Sequence, residues 1–119
     1  MEHFEGIDLL QSVILFWERT ENELRISIDA FLLPESPHYI IPPVKFFPCR
    51  RKGLLTFTDF SSVDGLKNIA AVKPNQGPHN RRDYGTFSHF EIEGDTCRIG
   101  GSLGDTVIKG GSAAFTVSE

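Results

Sequence analysis

Several things are scarce in this chain, and each scarcity removes a class of function. There are only two cysteines, Cys49 and Cys97, far apart in sequence. They form neither a paired metal knuckle nor a disulfide framework. Both are read as reduced thiols, with a single bridge between them left open as the alternative. The longest apolar run, Val13 to Trp17, falls far short of the ~20 residues that cross a bilayer, so no membrane span is expected. Basic excess is also missing. Twelve Lys plus Arg against 16 Asp plus Glu give a net charge of -4, which provides no general field for phosphate backbones, and nucleic acid is not an expected partner. The opening residues MEHFEGIDLL carry acids where a secretory signal carries bases, and the expected location is cytoplasmic. Gly100, Gly101 and Gly104 follow an apparent strand but lead into no helix, so they are turn glycines and not a phosphate loop. No internal repeat points to a solenoid.

What is present is a globular balance. The 119 residues are 39% hydrophobic and 24% charged, with ten phenylalanines. That length fits one domain, 1–119, able to bury about two thirds of the surface its unfolded chain would expose.

The organising stretch is Gln11 to Leu33, two strands folded back through a polar turn. From Leu24 to Asp29 the pattern alternates strictly: Leu24, Ile26 and Ile28 face one way, and Arg25, Ser27 and Asp29 the other, as a sheet with one dry face requires. Upstream, residues 4–18 are ambiguous. Phe4, Ile7, Leu10, Ile14 and Trp17 recur at helical spacing, yet Ser12 to Trp17 is rich in β-branched and aromatic residues, and a strand is favoured for the second half. Glu18 to Glu23 supplies the turn.

Prolines 34, 37, 42, 43 and 48 then rule out a central hydrogen-bonded strand, and Tyr39 to Phe47 reads as an extended edge segment covering apolar surface. Alternation returns with Leu55, Phe57 and Asp59 against Thr56, Thr58 and Phe60. For residues 62–71 two readings stay open: an Asp64-Gly65 hairpin, which is preferred, and a short helix capped by Ser62. Lys73 to Gly85 has no apolar periodicity and reads as a long surface loop of the kind that carries binding. Short glycine-punctuated segments follow. Phe87, His89 and Glu91 share one face and Ser88, Phe90 and Ile92 the other, with turns at Glu93–Asp95, Ser102–Asp105 and Gly110–Gly111. The fold expected is mainly β, an antiparallel β-sandwich or partly open β-barrel built from hairpins, with at most one or two short helices.

Two clusters could carry chemistry. His89 and Glu91 emerge on one strand face and could meet a divalent metal, although a solvated face, which also accounts for Glu93, is the preferred reading. A cupin-like barrel would need a second histidine where Glu91 stands. His79, Arg81, Arg82, Asp83 and Tyr84 form the densest polar group. Arginine forks suit carboxylates or an acidic partner surface; the bland alternative has Asp83 bonding loop amides, Tyr84 packing its ring down and the arginines solvated. Arg50, Arg51 and Lys52 read as the start of a strand or a turn. Cys49 has no histidine placed beside it by the sequence, and Trp17 reads as core. No catalytic constellation, cofactor or metal is expected. The expected function is binding of a protein partner, or self-association, with a small enzyme or ligand-binding barrel using His89, Glu91 or Asp83 as the alternative.

Asp83-Tyr84-Gly85, Phe90, Gly94-Asp95, Gly101, Gly104 and Ile108, preceded by Gly53 to Phe60 (GLLTFTDF), resemble a pattern in small uncharacterised bacterial β-rich proteins. The hairpin and LxF arrangement is also similar to small toxin-immunity proteins. These resemblances imply a compact cytoplasmic bacterial β domain, and no catalytic residues come with them.

Overall fold

The computed structural model describes residues 4–42, 48–77 and 82–118. Ten strands occupy them: β1 Ile7–Arg19, β2 Glu23–Leu32, β3 Cys49–Thr58, β4 Ser62–Asp64, β5 Asn75–Gln76, β6 Arg82–Asp83, β7 His89–Glu93, β8 Thr96–Gly100, β9 Thr106–Lys109 and β10 Ser112–Val117. They build two antiparallel four-stranded sheets. The long sheet runs β1-β2-β3-β10 and the short sheet β4-β9-β8-β7, with β5 and β6 as a separate ribbon. The fold is mainly β and the sheets do not close into a barrel. The helical content described is one 3-10 turn at Ile69–Ala71, and no helix among the described residues is long and apolar enough to cross a membrane.

The period of two decides which side chains meet. On β2 the even positions Leu24, Ile26, Ile28, Ala30 and Leu32 are buried, and they sit beside Leu55 and Phe57 of β3 in one cluster. Val63, Cys97, Ile99 and Ile108 of the short sheet join the same cluster. Apolar area removed from water between two such faces is worth about 25 cal/mol per Å², which is what holds the layers together.

Two strands pass from one sheet into the other. β3 pairs with β10 and β4 pairs with β9, so a single antiparallel ribbon bends at Asp59–Ser61 opposite Gly110–Gly111. Such corners are made by strands that switch sheets through bulges. Asp59 has φ +59 and Gly111 φ +80, and a Cβ on Gly111 would strike the Thr58 carbonyl oxygen. The turn expected at Gly110–Gly111 is therefore a corner between the two sheets.

β1 explains its own ambiguity. Asp8 pairs with Phe31 and Val13 with Asp29, so Leu9, Leu10, Gln11 and Ser12 bulge opposite Ala30 alone; Leu15 is a second extra residue between Ile14 and Phe16. Extra residues shift the strand's phase, and the inward set Leu9, Ile14 and Trp17 thereby mimics a helical spacing. Ser12 repairs the break: its buried hydroxyl accepts from the Phe31 N–H at 3.0 Å and donates to the Asp8 carbonyl at 2.8 Å. The strand starts at Ile7, earlier than the favoured half-segment.

Other expectations need correction. Asp64-Gly65 makes no hairpin, because β4 finds its partner in the distant β9. Gly65 has φ +89, and the chain continues into the 3-10 turn, where the Asn68 side chain accepts from Ala70 N–H at 3.0 Å. Of the two readings for Arg50, Arg51 and Lys52 the strand start is the one found, since they follow Cys49 at the beginning of β3. Lys73 to Gly85 is not loop throughout, since it contains the β5–β6 ribbon. Phe87 does not share the His89 face. It precedes β7 and is buried at 2% exposure, because the chain bends at Ser88 before joining the sheet. Tyr39 to Phe47 lies partly outside the described residues. In the part described, His38 packs edge-to-face on Phe115 at 5.4 Å and the Ile40 N–H reaches Cys49 Sγ at 3.5 Å.

Candidate functional site

Inward side chains are constrained by packing, so function is sought where packing leaves choice. On the outer face of the short sheet the register places Asp64, Val107, Arg98 and Glu91 in one row. Ser62, Lys109, Thr96 and Glu93 form the next. His89 stands opposite Gly100, where a Cβ would collide with the imidazole, and Ser88 Oγ lies 3.4 Å from its Nδ1. Arg98 reaches Glu93 at 3.8 Å, both exposed; such surface pairs stabilise little. His89 and Glu91 thus sit on a mixed-charge solvent face. Among the described residues no group of three or more His, Cys, Asp or Glu converges as a metal site.

The second expected cluster divides. His79 and Arg81 lie outside the described residues. Arg82 is exposed. Asp83 Oδ1 accepts from the Gly85 N–H at 3.0 Å and from Asn75 Nδ2 at 3.3 Å. Tyr84 packs edge-to-face on Trp17 with centroids 4.8 Å apart, and its N–H donates to the Ile14 carbonyl at 2.8 Å. Both residues therefore secure the segment that crosses β1, and they are far from free ligand-binding groups. This segment belongs to a different part of the fold from β7, which carries His89 and Glu91.

The outer face of the long sheet is different. Phe16 pairs with Ser27, Ser27 with Leu54 and Leu54 with Thr116, a row across all four strands without a charge. Beside it runs the row Glu18–Arg25–Thr56–Ala114, charged on β1 and β2 and uncharged on β3 and β10. Phe16 is 46% exposed, Ala114 and Thr116 are exposed, and Val13, Ser27, Leu54 and Thr56 are half-buried. Charges frame the row. At one end Arg25 donates to Glu23 at 2.9 Å and lies 3.6 Å from Glu18; this hydrogen bond holds the Glu23 carboxyl below its ordinary value and Arg25 above its own. At the other end the Arg50 guanidinium lies 5.2 Å over the Phe31 ring, and Lys52 stands opposite Asp29.

At the β1 end of this row a cleft of about 380 Å³ opens between Phe16–Arg19 and Leu66–Ile69. Trp17 closes its floor by donating from Nε1 to the Lys67 carbonyl at 2.8 Å. A second hollow of about 250 Å³ is lined by Ile40, Ile41, Cys49 and Arg51 among others. Cys49 there is buried and free. The Arg51 guanidinium donates to the His38 carbonyl at 3.0 Å, while the His38 ring packs on Phe115. Among the described residues neither hollow brings a nucleophile beside a base. Cys97, also free, is enclosed in the core, and burial pushes its thiol up to about 12.

The neutral row escaped sequence reading because it depends on the register between strands distant in the chain and on the two bulges of β1. The available signal was only that Ser27, Leu54 and Thr116 each occupy the outward phase of their own strand. In comparison with known proteins, the chain matches no family model, no curated protein and no solved structure.

Proposed function

We propose that this chain is a non-enzymatic, cytoplasmic β domain of bacterial type that binds another protein across the outer face of the long sheet. The observation that carries this reading is the uncharged row Phe16–Ser27–Leu54–Thr116, framed by Glu18, Arg25, Arg50 and Lys52. An uncharged centre with a charged rim matches the anatomy of a protein interface, and Phe16, at 46% exposure, is the large apolar side chain left in water within it. The second of the two sequence resemblances, to small toxin-immunity proteins, favours an immunity-type role, in which the partner is a toxin. The Phe16 ring, next to the cleft beside Lys67, is the natural anchor.

The test compares capture of partners from the native cell by the wild-type chain, by Phe16→Asp/Leu54→Asp and by Arg82→Ala. The reading expects one partner to be recovered by the wild type and by Arg82→Ala, and lost by the double variant. Equal recovery by all three would remove the face from consideration, and loss with Arg82→Ala alone would transfer the role to the β5–β6 ribbon.

A further inference from the structure

The four sheet edges are protected very unequally, and the unprotected one is self-complementary. β1 is bulged, and its Ile14 N–H and C=O are both occupied, at 2.8 Å each, by the Gly85 carbonyl and the Tyr84 N–H. β4 is three residues long. β7 carries Glu91 and Glu93 with His89, so a copy of itself would meet like charge. β10, Ser-Ala-Ala-Phe-Thr-Val, has no charge, no proline and no bulge, and pairs with β3 in continuous register from Ser112 to Val117. Charges, prolines, bulges and short length are the devices that keep sheet edges from pairing, and β10 uses none of them.

The register says which backbone groups are open. Ser118 N–H donates to the Lys52 carbonyl at 3.0 Å. In an antiparallel pair, hydrogen-bonded and non-hydrogen-bonded positions alternate, so Ser112, Ala114 and Thr116 also turn their backbone groups toward β3. Ala113, Phe115 and Val117 consequently direct theirs outward, and among the described residues no backbone group is bonded to them there.

We propose that β10 pairs antiparallel with β10 of a second copy of this chain, about a two-fold axis at Phe115, making one continuous sheet from the two long sheets. In this register Phe115 meets Phe115 of the copy, and Ala113 meets Val117 in both directions, each pair exchanging both of its backbone bonds. On the inner face the two Phe115 side chains become cross-strand neighbours, each ring lying over Gly53 of its own β3 and against His38. On the outer face Ala114 stands opposite Thr116, with no like charges opposed. The contact is isologous and closes as a dimer without leading to a fibre. It is independent of what the outer face binds, although it doubles the length of the neutral row.

Light scattering of the full chain, from micromolar to millimolar, tests this. The expected mass is twice the 13.3 kDa of the chain, falling to the single-chain value in Ala114→Lys/Thr116→Lys. Those two side chains are exposed on the outer face, so the variant keeps its β-type circular dichroism while placing lysine opposite lysine across the axis. Mixing it with Ala114→Glu/Thr116→Glu restores the doubled mass. Hydrogen exchange of the Ala113, Phe115 and Val117 amides slows as wild-type concentration rises. A wild-type chain that stays at single mass throughout overturns the proposal. So does a doubled mass that survives the lysine variant, or a charge-swapped mixture that stays apart.

Discussion

The two sheets share one core, yet their outer faces have little in common. In the short sheet the outward rows place a charge on nearly every strand, from Asp64 through Arg98 to Glu91 and from Lys109 to Glu93. In the long sheet one row, Phe16, Ser27, Leu54 and Thr116, is uncharged, between the row of Glu18 and Arg25 on one side and that of Asp29 and Lys52 on the other. Both sheets bury their inner faces equally well, with Ile26, Phe57, Ile99 and Ile108 all at 0% exposure. Folding makes the same demand on each, so the difference outside reflects something other than folding. The short sheet is finished as a solvent surface. The long sheet's outer face is the one proposed above as the surface that a partner covers.

The comparison can be broken most forcefully through the shared core. Phe57→Ala in the long sheet should cost about 3–5 kcal/mol and Ile108→Ala in the short sheet about 2–5 kcal/mol, since each leaves a cavity as well as losing apolar burial. Urea unfolding should show both shifting one cooperative transition. A biphasic curve in Ile108→Ala, with half the signal melting at the wild-type midpoint, would mean two separate cores.

Ser12→Ala comes next. It strips the Phe31 N–H of its acceptor at the β1 bulge and should cost about 1–3 kcal/mol. An unchanged midpoint would show that the bulge needs no such repair.

Alkali should act through the short sheet. An unfolded Cys97 ionises near its ordinary 9.0, whereas the folded thiol keeps its proton to about 12. Between those values the folded state binds more protons, so stability falls as pH rises. Cys97→Ala should flatten that slope in urea titrations at stepped pH.

Acid should act through the long sheet, and more weakly. The folded Glu23 carboxyl lies below its ordinary 4.5 because Arg25 hydrogen-bonds it, so its contribution is complete above that value and disappears as pH falls through the lower folded one. Glu23→Gln should remove a small acid-side dependence, readable by carboxyl titration in NMR. Phe16→Asp should have the least effect on folding, within about 0.5 kcal/mol, as exposed positions usually do.

How much of this could be read from sequence depended on how local the cause was. β2 was legible because Leu24 to Asp29 alternates without interruption, and the C-terminal strands because glycines punctuate them. β1 resisted because its bulges displace Leu9, Ile14 and Trp17 from a strict period of two. Asp64-Gly65 misled because a turn dipeptide states that the chain bends, not which strand receives it, and β9 is remote in sequence. The polar cluster was half legible: Asp83 and Tyr84 have the local roles the bland alternative assigned them, and His89 with Glu91 shares a face as expected. The neutral row belongs to no single segment, so no window of the sequence contains it.

We place the proposed binding surface on the long sheet's outer face and not on the short sheet's. The most direct measurement is partner recovery from the native cell with Phe16→Asp/Leu54→Asp beside Val107→Asp, which puts a matching charge on the short sheet. This account predicts that the first loses the partner while the second retains it at the wild-type level. Retention by the first together with loss by the second would contradict it.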